Sequence, residues 1–118
     1  MYIDSFQPGA SQLHIDNQFC LDFIRLDLYT HEGPLSLTLN EYRILMGLLH
    51  SPERIKSRAY LLDIIAPDHK ISVRNIDVHI RSLRQKLSTR SWQVETIRGL
   101  GYRWTGPVPS STYQNYSH

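Results

Sequence analysis

Residues 72–87, SVRNIDVHIRSLRQKL, carry apolar side chains at Val73, Ile76, Ile80, Leu83 and Leu87. At roughly 100° per residue these five positions fall within an arc of about 80°, so the segment is expected to be a helix with one narrow stripe in a core. That stripe demands other elements to bury it. The positions centred opposite are Val78 and Gln85, flanked by Arg74, Asn75, Arg81 and Ser82, with His79 and Arg84 on the shoulders and Lys86 near the end. A purely solvated face more often pairs Glu with Lys one turn apart. Here the helix has one acid, Asp77, with Arg74, Arg81 or Arg84 as available partners. Arginine fits the guanine edge, Asn and Gln fit adenine, and an aliphatic side chain meets the thymine methyl. The outward face therefore suits either plain solvation or contact with bases and phosphates, and the residue pattern leaves both readings open.

The rest of the chain supplies the partner layers. From Leu13 to Leu37 apolar residues recur with a period near two, punctuated by Asp16-Asn17 and by residues 31–34, HEGP. Three or four short antiparallel strands are expected. The period then becomes helical. Thr38 with Glu41 reads as a capping box, with Tyr42, Leu45 and Leu48/Leu49 as one face. Ser57 is expected to cap a second, shorter helix with Leu61, Leu62, Ile64 and Ile65 as its apolar positions, stopped at Ala66-Pro67-Asp68. Ser72 caps the third helix, which runs to about Leu87. After a polar break at residues 88–91, WQVETIRGLGYRWTG reads as strand, tight turn at Gly99 and Gly101, and strand. Arg98 sits at the tip of this hairpin, where it is either a turn arginine in solvent or a group slim enough to enter a minor groove. Residues 1–12 are expected to be a leader or linker, 13–105 one domain, and 106–118 a disordered tail.

Charge is distributed unevenly. Residues 1–69 hold five Lys/Arg against nine Asp/Glu, a balance of −4, whereas 70–103 hold eight against Asp77 and Glu95, a balance of +6. One end of the chain thus suits a polyanion. Small sheet, three helices and a basic hairpin in that order describe an α+β fold, a helix-turn-helix with a wing. The six histidines (14, 31, 50, 69, 79 and 118) show no metal-ligand spacing, and no nucleophile elbow or phosphate loop occurs, so neither an enzyme nor a cofactor is expected. The single Cys20 lies in an apolar alternation and reads as a small buried hydrophobe in a reducing compartment.

These residues resemble a known family. Residues 13–104, through LTLNEYRIL, DVHIRSLRQKL and ETIRGLGYRW in that order and spacing, are similar to the DNA-binding effector domain of OmpR/PhoB-type response regulators, winged helix-turn-helix proteins of bacteria. The resemblance implies an N-terminal antiparallel four-stranded sheet, a three-helix core and a C-terminal β-hairpin wing. It also implies sequence-specific binding of double-stranded DNA, with the third helix in the major groove and the wing in the adjacent minor groove. By position, Arg74, Asn75, Val78, Arg81 and Ser82 would face the major groove, with Gln85 added from the helix geometry. Arg84 would meet phosphate, joined on position by His79 and Lys86. Thr96 and Arg98 fall on the wing, and Tyr102 at its base, where packing is the expected role. A cytoplasmic transcription regulator is implied, with RNA polymerase as a partner and a homodimer on tandem or paired half-sites.

The departures from the family pattern matter as well. Ser82 stands where many relatives carry a second arginine, the loop APDHKIS (residues 66–72) lacks the usual tryptophan-glycine, and SRAYLL lacks the family's acid near the start of the second helix. Nothing in residues 1–12 can stand for the receiver domain that precedes this module in the family, so an excised effector domain is expected, with a free-standing regulator as the alternative. Ser82 and the altered loop also motivate a rival reading, a winged helix that binds protein such as RNA polymerase or another regulator. RNA binding is a weaker third reading, because the outward face of the third helix has no aromatic stacking platform.

Overall fold

The computed structural model describes residues 12–16, 19–30, 32–68 and 74–107; of Arg74 only the backbone is described. They fall into two units, one containing the residues up to Thr38 together with Pro107, the other running Leu39–Gly106.

In the first unit the two-residue period becomes four antiparallel strands: β1 (Gln12–His14), β2 (Cys20–Asp22), β3 (Asp27–Thr30) and β4 (Gly33–Ser36), paired in chain order. The first strand starts at Gln12, one residue inside the expected leader. The register places Leu13 against Leu21, Leu21 against Leu28 and Leu28 against Leu35. Leu13, Leu21 and Leu28 form a fully buried row, and Leu35 on the last strand is exposed. Short polar side chains shape the connections. Asp22 Oδ1 accepts from the amides of Ile24 and Arg25 at 2.9 and 3.0 Å, which turns the chain and lets Leu26 adopt a φ of +57°. Cys20 is buried, and burial, with Asp22 adding to it, pushes its thiol up to about 11. Its role is that of an apolar side chain.

The second unit holds α1 (Leu39–Leu49), α2 (Arg58–Ile65), α3 (Arg74–Leu87), a 3-10 helix (Ser88–Gln93), and the hairpin of β5 (Val94–Ile97) with β6 (Gly101–Trp104). The inner face of α1 is Glu41, Ile44, Leu45 and Leu48; Tyr42, expected on that face, is only half-buried. Gly47 lets α1 and α2 approach, since a Cβ there would meet Ile64 Cδ1 at 2.7 Å. Ser57 caps α2 as the sequence suggests, its Oγ accepting from the Tyr60 amide at 3.0 Å. In α3 the stripe Ile76, Ile80, Leu83 and Leu87 is buried, each side chain contributing about 1.5–3 kcal/mol of transfer free energy. Ser72 and Val73, the expected cap and first stripe residue, lie outside the described residues. The polar break is an ordered 3-10 helix, entered by Ser88 at φ +57°.

Candidate nucleic-acid interface

The hairpin turns tightly because Gly99 can take a φ of +79° as third residue of a turn closed by Leu100 N–H donating to Ile97 O at 2.9 Å. That leaves Arg98 exposed at the tip. The base of the hairpin is anchored elsewhere. Lys56, between α1 and α2, exchanges both backbone hydrogen bonds with Tyr102 of β6, at 2.8 and 2.9 Å. Gly101 permits this approach: a Cβ there would lie 2.1 Å from Lys56 O. The Lys56 side chain is itself buried and caps the end of α1, its Nζ donating to Leu48 O at 3.3 Å and Ser51 O at 2.6 Å. Burial, with Arg54 nearby, holds that ammonium below its ordinary pKa. Sequence reading missed this lysine, because nothing in RIKSR distinguishes a buried cation from a solvated one.

The candidate residues on α3 divide into two groups. Asn75, Val78, Arg81 and Gln85 are exposed, Val78 at 63%, along the side of the helix opposite the buried stripe. The other candidates whose side chains are described are engaged within the domain. Ser82 Oγ donates to Glu41 Oε2, and Lys86 Nζ pairs with Glu41 Oε1 at 2.6 Å. Both carboxylate oxygens of this buried acid are thus held by α3. His79 is half-buried, its Nε2 lying 3.3 Å from Asn40 Nδ2. Arg84 donates from Nε and Nη2 to Val94 O, at 3.0 and 2.6 Å, and from Nη2 to Thr96 Oγ1 at 2.8 Å. Thr96 itself stays exposed on β5.

Asp77 is held by partners from outside its own helix. Arg58 of α2 donates to its Oδ1 at 2.7 Å, and the Tyr102 hydroxyl donates to the same atom. Arg58 Nη2 also donates to the Tyr102 oxygen at 3.3 Å. The Tyr102 hydroxyl, with Arg58, keeps Asp77 below the ordinary carboxylate range against the opposing effect of burial. Burial, then Asp77, pushes the Tyr102 phenol up. The guanidiniums of Arg58 and Arg84 lie over the Tyr102 ring at 5.1 and 5.6 Å from its centre. Tyr102 is buried at the foot of the wing, in the packing role expected of it. An open groove of about 740 Å³ runs here, between α3 and the wing, lined by Arg58, Asp77, Arg81, Arg84, Gln85 and Tyr102 among others. Such a groove, rich in guanidinium donors, suits an extended anion more than a small neutral ligand. Among the described residues no cluster of His, Cys, Asp or Glu is placed to hold a metal ion, and no helix is long and apolar enough to cross a membrane.

Comparison with known proteins matches this geometry to one family. Residues 32–104 match the family described as transcriptional regulatory protein, C terminal. The transcriptional regulatory protein BaeR of Escherichia coli is 40% identical over 102 residues, 83% of this chain and 42% of that protein. The atypical response regulator ChxR of Chlamydia trachomatis is 41% identical over 80 residues, 67% of this chain and 35% of that protein. The chain therefore spans less than half the length of these relatives. Among solved structures, the DNA-binding domain of response regulator AdeR, in complex with an intercistronic region, superposes with a TM-score of 0.65 at 29% identity, over 78% of this chain and 98% of that one. The DNA-binding domain of Escherichia coli CadC shares the fold, with a TM-score of 0.73 at 15% identity over 82% of this chain and 94% of that one. The winged helix, the order of its elements and these relatives agree: the chain belongs to the family of C-terminal domains of transcriptional regulatory proteins, those of OmpR/PhoB-type response regulators.

Proposed function

We propose that this domain reads double-stranded DNA, with α3 in the major groove and the β5–β6 wing in the adjacent minor groove. One observation carries the reading: Asn75, Val78, Arg81 and Gln85 form an exposed strip on the helix whose opposite side is buried in the core. That burial fixes the strip's orientation, and its donors, acceptors and one aliphatic group match base edges rather than a salt-bridged solvent face. Arg74, at the start of α3, belongs with them by position. Ser82 joins them only by releasing Glu41. His79, Lys86 and the free side of the Arg84 guanidinium take phosphates, Thr96 lies alongside, and Arg98 at the wing tip probes the minor groove.

The test is affinity against salt for a sequence enriched from a random pool and for a scrambled control. A steep salt dependence with clear preference for the enriched site is expected. Equal, weak binding to both would leave only phosphate attraction and sink the reading. Family membership supports two finer proposals, a homodimer on tandem or paired half-sites and contact with RNA polymerase. Sedimentation on duplexes with one and two half-sites tests the first. Promoter transcription with purified polymerase tests the second.

A further inference from the structure

The geometry points to a two-point brace between α3 and the wing, which makes Asp77 and Arg84 positioning residues for the minor-groove contact of Arg98. This inference rests on the DNA reading above. Asp77 and Arg84 are separated by two helical turns, roughly 10.5 Å along the axis. Each ties a different strand. Asp77 accepts from the Tyr102 hydroxyl of β6, and Arg84 grips Val94 O and Thr96 Oγ1 of β5. The backbone bridge from Lys56 to Tyr102 already anchors the outer edge of β6; the two side-chain ties add what that bridge lacks, a grip on β5 and a fixed spacing of the ribbon from α3. Arg58 of α2 joins the first tie, donating to both Asp77 and the Tyr102 oxygen. The Tyr102 ring lies under the guanidiniums of Arg58 and Arg84, so the two ties share one aromatic.

The consequence is a fixed offset between the bases facing α3 and the step reached by Arg98. Arg84 is then more than the phosphate contact its position implies. Its Nε and Nη2 are committed to the wing, which leaves the Nη1 donors for a phosphate. A lysine at this position keeps the charge but has no planar fork to hold a carbonyl and a hydroxyl together.

Two measurements test the brace, one without DNA. Spin labels on His50→Cys and Leu100→Cys report the wing tip against the end of α1, since the buried native Cys20 is protected from labelling. Arg84→Lys and Tyr102→Phe should each broaden the label-to-label distance distribution while far-ultraviolet circular dichroism stays unchanged. An unbroadened distribution in both overturns the brace, whatever DNA does. The second measurement is a double-mutant cycle on the enriched site. Arg98→Ala should lose at least about fivefold less affinity in the Arg84→Lys background than in the wild type. Salt dependence should be the same for Arg84→Lys and wild type, because the cation is retained. Equal losses in the two backgrounds, in a protein that does discriminate sites, overturn the positioning role alone. If the wild type fails to discriminate, the DNA reading fails and the spin-label result still decides the brace.

Discussion

Arg81 and Arg84 lie one turn apart on the same helix and are used in opposite ways. Arg81 is exposed and carries no partner among the described residues, whereas Arg84 is half-buried and hydrogen-bonded to Val94 and Thr96. The same division separates Gln85 from Lys86, one solvated and the other closed onto Glu41 with 29% of its side chain exposed. A cation held in place costs little to position when a ligand arrives. A loose one must be ordered, at a cost of up to about 2 kcal/mol of side-chain entropy. The outward strip of α3 thus keeps the adaptability that base reading needs, and the engaged shoulders set where that strip sits.

This contrast can be broken in graded steps. The largest effect should come from Ile80→Ala, which opens the buried stripe and removes strip and brace together; a loss of about 2–5 kcal/mol in denaturant unfolding is expected. Gly101→Ala should strike the wing while leaving α3 intact. It imposes a side chain at φ +143° and drives a Cβ into Lys56 O. The strain is worth about 1–3 kcal/mol, and proteolysis within residues 94–104 should accelerate before global unfolding does. Arg81→Ala and Arg98→Ala should each weaken specific binding by about 1–3 kcal/mol with unfolding midpoints unchanged. Wild-type affinity at matched salt in either would remove that residue from the interface. The smallest effect is a pH dependence. Asp77 has a folded pKa below its unfolded value of about 3.9. Its contribution is therefore complete above that pH and lost as pH falls through the folded value. Half of its side chain is exposed, so screening keeps the effect small. Asp77→Asn should flatten the acid limb of the stability curve, and an unchanged limb would show that the pair stabilises nothing.

The parts legible in the sequence were those governed by local periodicity. Ile76, Ile80, Leu83 and Leu87 declare one face of one helix, and both Ser57 as a cap and Gly99 in the hairpin turn act within a few residues of themselves, whereas Gly101, read as part of the turn, opens β6 and makes room for Lys56. Illegible were the partnerships set by tertiary packing. Asp77, for which the sequence offered arginines on its own helix, is held by Arg58, 19 residues away on α2. Glu41, read as half of a capping box, also receives Ser82 and Lys86 from across the core. Residues 88–91 looked like a break and Trp92-Gln93 like the start of the strand because a 3-10 helix, here Ser88–Gln93, lacks a long enough repeat to imprint a period.

The backbone bridge between Lys56 and Tyr102 has a consequence for solubility. A two-stranded ribbon is marginal alone, and its outer edges are templates for pairing with other chains. Here Lys56 occupies the outer edge of β6 at Tyr102, and the Arg84 guanidinium covers the Val94 carbonyl of β5. A projecting element that must present itself to a polyanion thus offers no open backbone ladder at its root to a second copy of itself. The side chains at its tip can then vary without the ribbon becoming a seed for aggregation.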